Sequence, residues 1–171
     1  AAHGTPFAHP STFGFAKRSR WGTRARSPAA TLDQRFNLRG KVAAVIGGAG
    51  HLCSTLAEAM VESGMRVAIL DVPEVAPNAR PGLAKVPRLA CDVRSRQDLL
   101  RCRDALVTRY GRVDVLLNGA GINAPTPFFK ISEAEFDRII GVNLQGTLLS
   151  CQVFGEAMVR QRAGSIINVT S

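Results

Sequence analysis

Residues 41–71 read KVAAVIGGAGHLCSTLAEAMVESGMRVAILD, and this stretch decides the fold. Val42 to Ile46 is a short apolar run suited to a buried parallel strand. Gly47-Gly48-Ala49-Gly50 follows at once and breaks the strand. Leu52 to Ser63 then has helical spacing, with Leu52, Leu56, Ala59 and Met60 expected on one apolar face. Gly64 stops the helix, Arg66 to Leu70 is a second apolar strand, and Asp71 stands at its end. A strand–turn–helix unit of this kind brings backbone N–H groups and a helix N-terminus up to a phosphate. A carboxylate at the end of the next strand is placed to accept from a ribose hydroxyl. The stretch therefore predicts a dinucleotide site using Gly47, Gly48, Gly50, His51, Leu52 and Asp71. The charge of Asp71 repels a 2′-phosphate, so NAD is expected over NADP.

The pattern continues outward. Val72 to Lys85 reads as a connection with little regular structure. Arg88 to Cys91 is a short strand ending at Asp92-Val93, and Gln97 to Tyr110 is a helix with Leu99, Leu100, Leu106 and Val107 as its apolar face, ended by Gly111. Val113 to Leu117 is a fourth strand running into Asn118-Gly119-Ala120-Gly121. Ser132 followed by Glu135 has the form of a capping box and predicts a helix through Ile140. A further helix is expected over about 143–162, and Ser165 to Val169 is a fifth strand. Strands alternating with helices predict an α/β fold with a parallel sheet and right-handed crossovers. Asp92, Val93, Asn118, Gly119, Ala120 and Gly121 all fall at the carboxyl ends of strands, the edge along which such sheets bind ligands.

The 171 residues suffice for one domain with a real core. The net charge of +9 suggests a nucleic-acid partner until it is divided: residues 1–40 hold seven basic side chains against Asp33 alone, leaving +3 for the remainder. The basic character belongs to the N-terminal segment, and neither nucleic acid nor membrane is an expected partner. Residues 1–36 lack helical or strand periodicity and read as a disordered basic extension preceding a domain over 37–171. Their arginines and hydroxyls also resemble an organelle transit peptide, which stands as the alternative to a cytoplasmic location. The four cysteines show no C-x-x-C spacing and the histidines are only His3, His9 and His51, so no metal site is expected.

With these motifs in place, the chain resembles the short-chain dehydrogenase/reductase family. The family's T-G-x-x-x-G-x-G turn corresponds to Ile46 through Cys53, with His51 and Cys53 in place of two glycines. Its N-N-A-G corresponds to Asn118-Gly119-Ala120-Gly121, and its adenine-side acid to Asp92-Val93. Asn143 matches the helix asparagine of the catalytic tetrad, and Asn168-Val169-Thr170-Ser171 the strand that ends in the catalytic serine. The resemblance implies a doubly wound, Rossmann-like sheet that is incomplete after its fifth strand. It further implies NAD-dependent hydride transfer with a secondary alcohol or ketone, and a homo-oligomer in the full-length protein. In that scheme Ser171 holds the substrate oxygen and Asn143 a water of the proton relay. The turn and the Cys151-Gln-Val-Phe-Gly155 helix look most like mannonate or fructuronate oxidoreductases. The family's Y-x-x-x-K pair belongs beyond Ser171, so residues 1–171 alone are expected to be inactive. A non-catalytic nucleotide-binding or interaction module is the alternative.

Overall fold

The computed structural model describes residues 37–76 and 79–169. The basic extension over residues 1–36 and the expected catalytic Ser171 lie outside the described residues. Five parallel strands form one sheet: β1 (Val42–Ile46), β2 (Arg66–Asp71), β3 (Arg88–Ala90), β4 (Val115–Asn118) and β5 (Ser165–Asn168). Their order is β3-β2-β1-β4-β5. The chain winds outward from β1 in one direction and then, through β4, in the other. That reversal leaves a crevice at the carboxyl ends of β1 and β4.

The helices are α1 (His51–Glu62), α2 (Arg96–Tyr110), α3 (Glu133–Ile140) and α4 (Thr147–Arg160). Strand β1 explains why they cover both faces. All five of its residues are buried, which a strand achieves only when both sides of its pleat meet protein. Ala44 and Ile46 pack with Leu99 and Leu106 of α2 and Phe154 of α4. Ala43 and Val45 turn to the other face, against Cys53 and Ala57 of α1 and against Leu83. At the sheet's opposite pole, buried Asp114 accepts from the Val42 amide at 2.9 Å and from Arg112, fastening β1 to β4. Register sets the other pole level: Ile46 pairs with Leu70 on one side and with Asn118 on the other. The loops after β1, β2 and β4 therefore leave the sheet side by side.

Three local readings differ from expectation. The buried stripe of α1 is Cys53, Ser54 and Ala57, whereas Leu52 and Leu56 are 54% and 36% exposed. This helix lies so close to the loop after β4 that a Cβ at Gly119 would strike the Cys53 sulfur. Small side chains therefore take the inner face and the leucines face outward. The connection after β2 is also more ordered than its composition suggests: Pro81–Leu83 forms a 3₁₀ turn whose Leu83 is buried in the core. Arg80 clamps it to α1, reaching Glu58 at 2.8 Å and the Ser54 hydroxyl at 3.0 Å. Finally, Ser132 caps α3 by accepting from the Glu135 amide at 3.2 Å, but the Glu135 carboxylate accepts from Thr126 at 2.7 Å. The cap is one-sided because the glutamate ties down the loop leading into α3.

Strand β5 has all four residues exposed. No helix among the described residues is long and apolar enough to cross a membrane.

Candidate functional site

The turn after β1 is built by contacts that only glycine permits. Gly47 has φ of +73°, and its amide donates to the Leu70 carbonyl at 2.9 Å. A Cβ on Gly47 would lie 2.7 Å from the Ala120 nitrogen, and one on Gly48 would lie 2.8 Å from Ile69 Cγ2. The turn thus fits between the loop after β4 and a β2 side chain. It delivers Gly50 as the extended first cap of α1, with no side-chain cap and no acid in the first turn. A helix start left in this state keeps its amides and its partial positive charge for an incoming anion. Cys53, in that first turn, is a packing residue whose thiol is pushed up by burial, with nearby Asp71 adding to the effect.

Asp71 closes the turn from the side. One carboxylate oxygen accepts from the Ala49 amide at 2.9 Å and the other from the Val72 amide at 2.9 Å. A carboxylate has about four acceptor positions, so both oxygens keep capacity toward a diol. Asp92, at the end of β3, is held by its neighbour. It accepts from the Arg94 amide at 2.9 Å and from the guanidinium at 2.7–3.1 Å. The Arg94 guanidinium beside it holds the Asp92 carboxyl below the usual carboxylate range.

Gly47, Gly50, Asp71, Asp92 and the run from Gly119 to Ile122 line one cavity of about 340 Å³. Val93, from the expected set, lines it as well. His51 and Leu52 are exposed at the start of α1, and Gly48 is packed on Ile69; none of the three lines the cavity. Asn118 is also absent from the lining. It is 4% exposed, and its amide donates to Asn168 Oδ1 at 2.8 Å and to the Cys151 sulfur at 3.4 Å. Expected among the cofactor-contacting residues, it instead joins β4 to β5. Ile46, Leu70 and Cys91 complete the lining together with Val72, Val75, Arg94, Arg138 and Val142, and sequence reasoning passed over these last five. No local signal marks them, because they come from three separate connections that the sheet order brings together.

Asn143 lies in a π-helical turn, Gly141–Gly146, between α3 and α4. Such turns are rare and concentrate at functional sites. Its side-chain oxygen accepts from the Ile122 amide at 2.9 Å and its amide nitrogen donates to the Ile122 carbonyl at 3.0 Å. The pair fixes the loop after β4 over the cavity. Its backbone carbonyl accepts from the Thr147 hydroxyl at 2.9 Å and has a second lone pair. Asn143→Ala is expected to cost roughly 1–3 kcal/mol, since it removes two hydrogen bonds and leaves Ile122 unpaired. A urea titration checks this: an unchanged midpoint would show that the Ile122 contact stabilises nothing.

The cradle fits a nicotinamide dinucleotide on three observations: Cβ-excluding glycines, an uncapped helix start, and a carboxylate level with both. Among the described residues no three His, Cys, Asp or Glu side chains converge as a metal site would require.

Comparison with known proteins agrees with this geometry. D-threitol dehydrogenase of Mycolicibacterium smegmatis is 32% identical over 151 residues, covering 82% of this chain and 56% of that protein. Sorbitol dehydrogenase of Cereibacter sphaeroides is 36% identical over 141 residues, covering 80% and 54%. The ligand-free aldohexose dehydrogenase of Thermoplasma acidophilum superposes with a TM-score of 0.68 at 31% identity, covering 78% of this chain and 50% of that one. The chain therefore spans about half the length of the relatives it matches. Their names carry polyols and an aldohexose rather than the expected mannonate or fructuronate. Residues 41–171 match the short chain dehydrogenase family, and with the doubly wound sheet and glycine turn described above, the chain belongs to that family.

Proposed function

We propose that residues 41–171 form the cofactor-binding half of an NAD-dependent oxidoreductase. Its substrate in this reading is a polyhydroxylated secondary alcohol or the matching ketone, sugar acids included. The observation that carries the reading is the position of Asp71. Its carboxylate stands level with the glycine turn and bonded to it, where a ribose diol meets an acceptor and a 2′-phosphate meets a like charge.

Bound NAD supplies the hydride acceptor. The chain's own residues do the rest. Gly47, Gly50 and the start of α1 receive the pyrophosphate, Asp71 the adenosine ribose, and Gly119 to Gly121 let the nicotinamide half lie against backbone. The backbone carbonyl of Asn143, through its second lone pair, holds a water of the proton relay, and Ser171 holds the substrate oxygen. A homo-oligomeric assembly and a cytoplasmic location belong to the same proposal.

Proton transfer to or from that oxygen needs an acid near the cavity. The only tyrosine of the 171 residues is Tyr110. It ends α2, with the Arg66 guanidinium 5.8 Å from its ring centre. Arg66 begins β2, so this phenol lies at the opposite pole of the sheet. Residues 1–171 are therefore expected to bind NADH and to show no turnover, whereas the complete polypeptide reduces NAD with a polyol. NADH fluorescence titration and a coupled absorbance assay measure both. Tighter binding of NADPH than NADH would overturn the NAD assignment, and turnover by residues 1–171 would overturn the division of labour. NADH binding without turnover in the complete polypeptide leaves the non-catalytic module as the better reading.

A further inference from the structure

Four charged side chains line the cavity: Asp71, Asp92, Arg94 and Arg138. Three are engaged. Asp71 holds the Ala49 and Val72 amides, and Asp92 and Arg94 neutralise each other at 2.7 Å. The side chain of Arg138, on α3, makes no hydrogen bond or ion pair among the described residues. Arg138 is exposed, so its guanidinium, at the wall of a mostly apolar cavity and with no side-chain partner among the described residues, is open to a ligand.

Its place along the cavity says which part of the ligand. Gly141 follows Arg138 by three residues, on the same helical face. A Cβ at Gly141 would lie 3.6 Å from Cδ of Arg94, so this face of α3 stands over the end of β3. The sheet order runs β1, β2, β3, with neighbouring strands about 4.8 Å apart. The glycine turn ends β1, Asp71 ends β2, and Asp92 follows β3. A dinucleotide with its pyrophosphate on the turn and its ribose on Asp71 carries its base to the third position. Val93 follows Asp92 and Val142 follows Gly141, so two apolar side chains of the cavity lining stand at that position and suit a flat ring.

We infer that Arg138 is a purine-contacting residue, its guanidinium lying over the face or edge of the adenine. The inference rests on the dinucleotide reading and adds to it the residue that grips the base. A guanidinium over an aromatic face contributes a factor of roughly 3 to 30 in affinity, depending on how far the contact is desolvated. Lysine keeps the charge but not the planar surface.

Calorimetric titration of the 171-residue chain with AMP and with ribose 5-phosphate tests this, using wild type, Arg138→Met and Arg138→Lys. The methionine variant is expected to bind AMP roughly 3- to 30-fold more weakly, with ribose 5-phosphate unchanged and the lysine variant between the two. Equal AMP affinity in wild type and Arg138→Met would overturn the inference. So would an equal loss for both ligands, because Arg138 would then be reading phosphate. Circular dichroism confirms that each variant keeps its helices, and if the methionine variant unfolds, the lysine variant decides by the same AMP to ribose 5-phosphate ratio. Wild-type protein that binds neither AMP nor NADH overturns the dinucleotide reading itself, and the inference with it.

Discussion

Gly47→Ala is expected to lower stability by roughly 2–5 kcal/mol and to abolish measurable NADH binding. Two costs combine. The residue sits at φ of +73°, a left-handed conformation that costs an L-residue about 1–2 kcal/mol. The added methyl would also stand 2.7 Å from the Ala120 nitrogen and from the Gly119 carbonyl carbon. Both are backbone atoms, so no side chain can swing away, and overpacking of this kind costs roughly 1–3 kcal/mol. The structure contains its own control. Gly40 has φ of +77° with nothing within 4 Å of an added Cβ, so Gly40→Ala carries the conformational cost alone. Chemical denaturation of the two variants separates the terms. Equal losses at 47 and 40 would mean that the close approach of the two loops contributes nothing. Relief of the clash requires the turn and the loop after β4 to part, which opens the phosphate cradle. NADH binding is therefore lost even in the fraction of Gly47→Ala protein that remains folded.

Asp71→Ala is expected to weaken NADH binding by roughly 10- to 100-fold, since a hydrogen bond to a charged group is worth about 1.5–3 kcal/mol. The same change removes the acceptor of the Ala49 amide, so the turn loosens and stability falls by about 1 kcal/mol. Loss of the charge also removes the repulsion of a 2′-phosphate, so NADPH binding falls less than NADH binding and the preference between them narrows. Asp71→Asn separates the two effects. An amide oxygen can still accept from Ala49, which keeps the turn, while the charge is gone. Competitive titration with both dinucleotides is the measurement. A parallel loss of NADH and NADPH in Asp71→Ala would show that Asp71 acts only by holding the turn. An unchanged NADH affinity would remove Asp71 from the site.

The glycine turn was legible because its signals are local: an apolar run suited to a buried strand, residues without Cβ where the chain must reverse, then helical spacing. The carboxylate after the second strand was legible for the same reason. Asn143 was recognisable by its motif, but not its work, since the partner of its side chain is the backbone of Ile122, 21 residues away. The inner face of α1 was misread for a related cause. Periodicity assigns the leucines to the core, yet what faces α1 is a glycine loop that admits only small side chains. Asn118 looked like a cofactor contact because it opens the glycine run after β4. Its last strand position instead points it at Asn168 in the neighbouring strand. Arg94, Arg138 and Val75 carry no signature at all, since an arginine on a surface helix and a valine in a proline-rich loop are unremarkable until the sheet order places them.

The amino-acid sequence by itself determined the alternation of strands and helices, the glycine turn after the first strand, and the carboxylate that closes the second. Each rests on interactions within a few residues along the chain, where spacing and residue type suffice. The tertiary structure alone decided which side chains share the cavity, which asparagine joins strands and which steadies the loop, and which cation of the cavity has no side-chain partner among the described residues. Those outcomes depend on strands and loops meeting in space, through a parallel register that levels β1, β2 and β4 and a winding that reverses at β1, and no local spacing encodes them.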